Sequence, residues 1–249
     1  MDHLTPPEWV TRADGIRLAV RRFVGKGPTL VFLPGYMSDM QGSKAKALET
    51  FAIKHGRPML RLDYSGCGES DGAFEVGTIE VWRDDILLIV SMLVRGPVVL
   101  VGSSMGGWLM LLVALALGDQ VKGLVGIAAA PDFTEWGFSA QEKGQIAKYG
   151  RIERPSEYGT APMVTTSRFW QSGHDNQLLT GEIPIDCPLR LIHGQNDPDV
   201  PWQISLDTAA NFRSADVQTL LIKDGDHRLS RDQDIALILR VVGNLLEAL

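Results

Sequence analysis

An α/β fold with a mostly parallel central sheet, helices on both faces and an inserted helical cap is predicted by three features of the sequence. Short apolar, β-branched runs alternate with segments of helical periodicity, the rhythm of successive βαβ units. One such run, 98–101, stops at Gly102, passes Ser103 and Ser104, and continues at once as the apolar, helix-like stretch 105–117. Between about 131 and 186 the rhythm breaks into short polar, helix-like pieces that carry Phe133, Trp136, Phe138, Tyr149, Tyr158, Phe169 and Trp170. A flexible linker has no use for so many aromatics, so this stretch reads as a cap packed over something. The expected organisation is one domain overall: a core of residues 1–130 and 187–249, interrupted by a cap of residues 131–186.

Composition sets the outer limits. The 249 residues are enough for one large domain, and 45% hydrophobic with 22% charged residues is close to the globular average. The net charge is −6 and the basic residues are dispersed, which leaves no footprint for nucleic acid. The longest apolar run, 108–117, is too short to span a bilayer. The N-terminus has neither a signal-peptide core nor an Arg-rich transit character. Cys67 and Cys187 make no disulfide framework and no metal motif. These features predict a reduced, cytoplasmic setting, with no metal and no cofactor.

In chain order, residues 8–24 read as a β-hairpin turning at Asp14-Gly15. Residues 29–33 form an apolar run suited to a central strand and ended by Pro34-Gly35. A helix over 44–55 closes at Gly56; residues 59–63 are the next strand, and a Gly-rich loop covers 64–72. Thr78 caps a helix over 79–93, whose apolar residues recur at helical spacing. The serine turn follows, then a strand at 123–128. After the cap come a strand at 189–192, a helix near 203–212, a strand at 217–222 and a terminal helix from about 231 to 246.

Chemistry concentrates at the serine turn. In Gly102-x-Ser104-x-Gly106 the small flanking residues permit a strained turn with Ser104 at its apex, clear of the sheet and in front of a helix N-terminus. Alone, this frame also fits a turn with no chemistry. A serine hydroxyl is a weak nucleophile at neutral pH and needs a base, itself oriented by an acid. Of the five histidines, His227 lies in a loop after the last strand, at the edge where open α/β sheets collect ligands. His3 is terminal, His55 ends a helix and His174 lies in the cap. His193, at a strand end before Gly194, reads as buried and structural. The loop 193–201 offers two carboxylates, Asp197 and Asp199, one to face the histidine and the other to cap the next turn; Asp197 is the favoured acid. Asp132, after the strand that follows the serine turn, is the alternative. An oxyanion needs two N–H donors, which Met105 and Tyr36 would supply. Ser103 and Cys67 read as packing residues, and Asp63 as an anchor of its loop through backbone hydrogen bonds.

Leu33-Pro-Gly35, Asp63-x-x-Gly66-x-Gly68-x-Ser70, Gly102-x-Ser104-x-Gly106-Gly107, His193-Gly-x-x-Asp197-x-x-Val200-Pro201 and Asp226-His227 occur in one order. Over essentially the whole chain that set resembles the α/β-hydrolase family. The runs 33–45, 63–72 and 101–111 are further similar to palmitoyl-protein thioesterase and acyl-glucuronide esterase members of it. The resemblance implies a catalytic triad of Ser104, Asp197 and His227, and an acyl thioester or ester as substrate. Phe133, Trp136 and Trp202 are candidates for the pocket; the alternative for the aromatic cap is a small core of its own. The expected activity is that of a serine esterase or thioesterase working through an acyl-enzyme. The alternatives are a hydrolase-fold protein that only binds a small ligand, and a carbon–carbon bond hydrolase or perhydrolase using the same residues.

Overall fold

The computed structural model describes residues 7–155 and 162–249; His3 and Tyr158 lie outside the described residues. Its strands are β1 (Glu8–Thr11), β2 (Arg17–Phe23), β3 (Thr29–Leu33), β4 (Met59–Leu62), β5 (Val98–Ser103), β6 (Val121–Ile127), β7 (Arg151–Arg154), β8 (Met163–Thr166), β9 (Leu189–Gly194) and β10 (Val217–Ile222). The helices are α1 (Ser43–Lys54), α2 (Ile79–Leu93), α3 (Met105–Leu117), α4 (Phe133–Trp136), α5 (Ala140–Tyr149), α6 (Ser167–Asp175), α7 (Gln203–Asn211) and α8 (Asp232–Ala248).

Alternation along β5 shows how the layers are built. Val98 and Leu100 enter one apolar cluster, with Trp82, Ile86 and Ile89 of α2 and Trp108, Leu109 and Leu111 of α3. Val99 and Val101 enter a second cluster, with Ala45 and Leu48 of α1 and Val242 and Leu245 of α8. A strand buried on both faces is continuously apolar, which is why the sequence shows a run rather than an alternation. Helix α3 is buried through residues 105–114, matching its apolar composition on every side.

The main sheet runs in the order β1-β2-β4-β3-β5-β6-β9-β10. β2 is antiparallel to both β1 and β4, and the pairs from β4 through β10 are parallel. From β3 the chain moves outward to β4 and then returns to place β5 on the other side of β3. That reversal opens a crevice beyond the carboxyl ends of β3 and β5, where ligands of such sheets bind. Thr78 caps α2 by accepting the Val81 N–H at 3.2 Å.

Between β6 and β9 the chain leaves the main sheet. The expectation of helix-like pieces alone is corrected here: β7 and β8 pair antiparallel as a separate two-stranded sheet, beside α4, α5 and α6. Each strand is only four residues long with one buried residue, too short a pattern for alternation to stand out. Phe138, Ile146 and Ile152 form a small apolar core within this region. Helix α6 is fastened to the layer below. The Ser172 hydroxyl donates to the Glu80 carboxylate and accepts the Ile79 N–H at 2.9 Å. The Trp108 indole donates to the Asn176 carbonyl at 3.1 Å.

Sheet and helix approach most closely at the β5–α3 turn, where a Cβ at Gly102 would overlap the Gly106 carbonyl and one at Gly106 would overlap the Leu33 carbonyl. Gly102→Ala is therefore expected to lose at least about 2 kcal/mol of stability through overpacking, read as a lower urea midpoint. An unchanged midpoint would contradict the close approach.

Candidate active site

β5 ends at Ser103 and α3 begins at Met105, so Ser104 alone turns the chain. Its backbone takes φ 54° and ψ −123°, a conformation L-residues avoid. Three hydrogen bonds hold it there: its N–H donates to the Ile127 carbonyl at 2.9 Å, and its carbonyl accepts from Gly107 at 2.8 Å and Ala130 at 3.1 Å. The hydroxyl is thereby presented at the crevice, in front of the α3 N-terminus.

Two loops at the far edge of the sheet close on this serine. The Gln195 N–H donates to the Ile222 carbonyl at 2.8 Å and the Asn196 N–H to the Gly225 carbonyl at 2.9 Å, joining the loop after β9 to the loop after β10. The second loop is fixed further by Asp226, which accepts the Leu229 N–H at 2.9 Å, and by Lys44 of α1, whose ammonium donates to the Arg228 carbonyl at 2.5 Å. His227 projects between them. Its Nδ1 lies 2.8 Å from Asp197 Oδ2, and its Nε2 lies 3.1 Å from Ser104 Oγ. With Nδ1–H donating to the carboxylate, Nε2 is left to accept the serine hydroxyl.

Asp197 accepts four hydrogen bonds. Oδ2 takes His227 and, at 3.1 Å, His193 Nε2; Oδ1 takes the N–H groups of Asp199 at 2.9 Å and Val200 at 2.8 Å. Burial alone would raise its pKa, but these donors outweigh it and hold the carboxyl well below the ordinary carboxylate range. The expected division of labour between two carboxylates is corrected: Asp197 faces the histidine with one oxygen and caps the turn with the other, while Asp199 is exposed. Asp132 is also apart from His227. It sits in the left-handed region (φ 56°) and accepts the Leu178 N–H at 2.9 Å and the Leu179 N–H at 2.7 Å, tying the chain before β9 to the end of β6.

Among the described residues, neither the Met105 nor the Tyr36 N–H has an acceptor. Gly35, beside Tyr36, brings the loop after β3 within van der Waals range of Ser104. The Tyr36 ring packs on Phe74, Trp82, Phe133 and Phe169, and its hydroxyl donates to the Val164 carbonyl at 2.5 Å, so this loop is bound to β8 above it. From below, the Tyr64 hydroxyl donates to the Pro34 carbonyl at 2.9 Å. Asp63 accepts the N–H groups of Met40 at 2.7 Å and Glu69 at 2.9 Å, in keeping with an anchoring role. Cys67 is buried, and burial pushes its thiol up to about 12, which removes the thiolate a nucleophile would need.

Of the aromatic candidates, Phe133 and Trp136 pack against a small cluster of Ala130, Val200 and Ile204, together with Leu179. The cluster is tied to both the serine turn and the Asp197 loop, since the Ala130 N–H donates to the Ser104 carbonyl and the Val200 N–H to Asp197. Trp202 takes the N-cap position of α7, two residues before Ile204. Sequence reasoning missed two contacts. His193 reaches Asp197, for which the i, i+4 spacing in His193-Gly-x-x-Asp197 is the available signal. Lys44 reaches the His227 loop across 184 positions, and no local pattern signals that.

Residues 30–240 match the α/β hydrolase family, and the chain belongs to it. It is 39% identical over 252 residues to a bovine protein named palmitoyl-protein thioesterase ABHD10, mitochondrial, covering 99% of this chain and 82% of that one. The solved structure of mouse α/β hydrolase domain-containing protein 10 superposes with a TM-score of 0.91 at 38% identity, over 98% of this chain and 99% of that one. A putative hydrolase from Agrobacterium vitis S4 gives a TM-score of 0.90 at 36% identity, over 97% and 99%. The chain is accordingly a hydrolase of the ester-bond class. The expected cytoplasmic setting is overturned, because the curated relatives are named as mitochondrial proteins. Two free cysteines do not distinguish one compartment from another. Among the described residues no helix is long and apolar enough to cross a membrane.

Two outcomes follow from these contacts. Asp132→Ala leaves two partly buried N–H groups unpaired and should cost about 1 kcal/mol or more, read by urea unfolding; a variant as stable as wild type would contradict the tie. Burial lowers the Lys44 pKa to about 8, so the folded protein gives up this proton before the unfolded chain does. The penalty for burying the charge is full below about 8 and is relieved as pH rises toward the ordinary lysine value of about 10.4. The stability of wild type relative to Lys44→Met should therefore rise between those two values, and a flat difference would contradict it.

Proposed function

We propose that this protein hydrolyses acyl thioesters and esters through an acyl-enzyme on Ser104, with His227 as general base and Asp197 as the acid that orients it. The observation carrying this reading is the unbroken hydrogen-bond path from Ser104 Oγ through His227 to Asp197 Oδ2, beside two N–H groups that have no acceptor among the described residues. As Ser104 Oγ attacks the acyl carbon, its proton passes to His227 Nε2. The Tyr36 and Met105 N–H groups hold the oxyanion, and Asp197 stabilises the imidazolium. The leaving thiol or alcohol departs with the proton from Nε2. Water, deprotonated by the same nitrogen, then attacks the acyl-enzyme; the acyl–Oγ bond breaks, the acid leaves, and the proton on Nε2 returns to Ser104 Oγ.

Residues 131–186 act as the cap of this site. The partly buried Phe133, Trp136 and Leu179, packed on Ala130, Val200 and Ile204, offer apolar contacts that suit the hydrocarbon of an acyl chain. A long-chain acyl thioester is the substrate class this surface and the thioesterase relatives favour. Each methylene buried there adds about 0.8 kcal/mol of binding.

Ser104→Ala should abolish turnover of p-nitrophenyl esters and of palmitoyl thioesters while leaving the unfolding midpoint in place. Asp197→Asn should lower kcat by about four orders of magnitude, since the imidazole would then be held in the wrong tautomer. Trp136→Ala should raise KM for palmitoyl substrates more than for acetyl ones. Full activity in Ser104→Ala, or equal effects on both chain lengths in Trp136→Ala, would refute the nucleophile and the acyl surface respectively.

A further inference from the structure

Asp197 Oδ2 is shared by two imidazoles, His227 at 2.8 Å and His193 at 3.1 Å. His193 lies on β9 with no exposed surface, and its neighbours fix where its proton sits. Nε2 faces two acceptors, Asp197 Oδ2 and the Val200 carbonyl, both at 3.1 Å. Nδ1 lies 2.7 Å from the Ser205 hydroxyl of α7. With Nε2–H donating outward to these two acceptors, the Ser205 hydroxyl is left as the partner of Nδ1. A polar chain therefore runs from Ser205 through His193 to the back of the oxygen that holds His227.

We propose that His193 is a positioning residue for the hydrolysis: by occupying Asp197 Oδ2 from behind, it fixes the rotation of the carboxylate and limits how strongly that oxygen attracts the His227 imidazolium. This inference rests on the triad reading above. Each donated hydrogen bond draws charge from a carboxylate and lowers its affinity for a further proton. Removing the His193 donor leaves more charge on Oδ2 for His227 Nδ1–H, so the imidazolium is more stable and persists to higher pH. Only the neutral ring can take the serine proton, and the acid limb of the rate profile must then move up. The other charges around this pair are the Asp199 carboxylate, within 4.8 Å of Asp197 and His227; Asp226 and Arg228, flanking His227; and Lys44, reaching in from α1. They are common to all the variants below.

The test is the pH dependence of kcat/KM on a short p-nitrophenyl ester. His193→Met is expected to move the acid limb upward by about half a unit or more, and His193→Gln, which restores an N–H donor near the Nε2 position, to bring it back toward wild type. Ser205→Ala should move the limb in the same direction by less, and it carries the test if His193→Met does not fold. A lowered kcat with the acid limb unmoved in the folded variants would overturn the proposal and leave His193 a packing residue. Activity surviving in Ser104→Ala would instead sink the triad reading itself, so the two failures are distinguishable.

Discussion

Ser104 occupies a backbone conformation that an L-residue adopts only where its surroundings compel it. Such strain, of order 1–3 kcal/mol, persists because the flanking layers cannot separate: β5 is buried on both faces and α3 on every side over ten residues. Gly102 and Gly106 are the positions where the two layers touch backbone to backbone. The same contact brings the β3 carbonyls against α3, which fixes the loop carrying Tyr36 relative to the serine. The serine turn and the position of the Tyr36 loop beside it thus depend on one close approach.

Buried charge holds the remaining loops in register with that turn. Arg61 is wholly inside, donating to Glu49 at 2.7 Å and to the Met40 carbonyl at 2.5 Å, and Asp63 receives the Met40 N–H on the other side. Burial raises the Asp63 carboxyl to about 6, the cost of placing an acceptor where two backbone donors need it. Arg12 and Asp85 do the same for the next loop, where Asp85 accepts the Ser65 N–H at 2.9 Å and the Arg12 guanidinium at 2.9 Å. Among the described residues, Arg12, Arg61, Asp63 and Asp85 make no hydrogen bond to Ser104, His227 or Asp197. They are best understood as the means by which loops at three strand ends are kept at fixed distances from Ser104.

What the sequence disclosed depended on how local the cause was. The Gly-x-Ser-x-Gly frame is legible because a steric requirement two residues either side of Ser104 leaves its mark in composition. β3, β5, α2 and α3 are legible because full burial leaves an uninterrupted or helically spaced apolar run. The cap was legible as an interruption and as aromatic, but not in its parts, since the four-residue strands β7 and β8 carry too few buried positions to declare a period. The double duty of Asp197 was hidden because two aspartates two residues apart look alike until the fold decides which one lies under His227. Lys44 and Arg228 meet only through α1 packing on the sheet. The compartment was the plainest error, since cysteine usage reports redox conditions and not an address.

The proposed activation of Ser104 by His227 is read directly by covalent labelling. A fluorophosphonate probe followed by peptide mass spectrometry should place the adduct on Ser104 and on no other serine, at a rate that collapses in His227→Gln. An adduct elsewhere, or Ser104 labelled as fast without the imidazole as with it, would contradict the account.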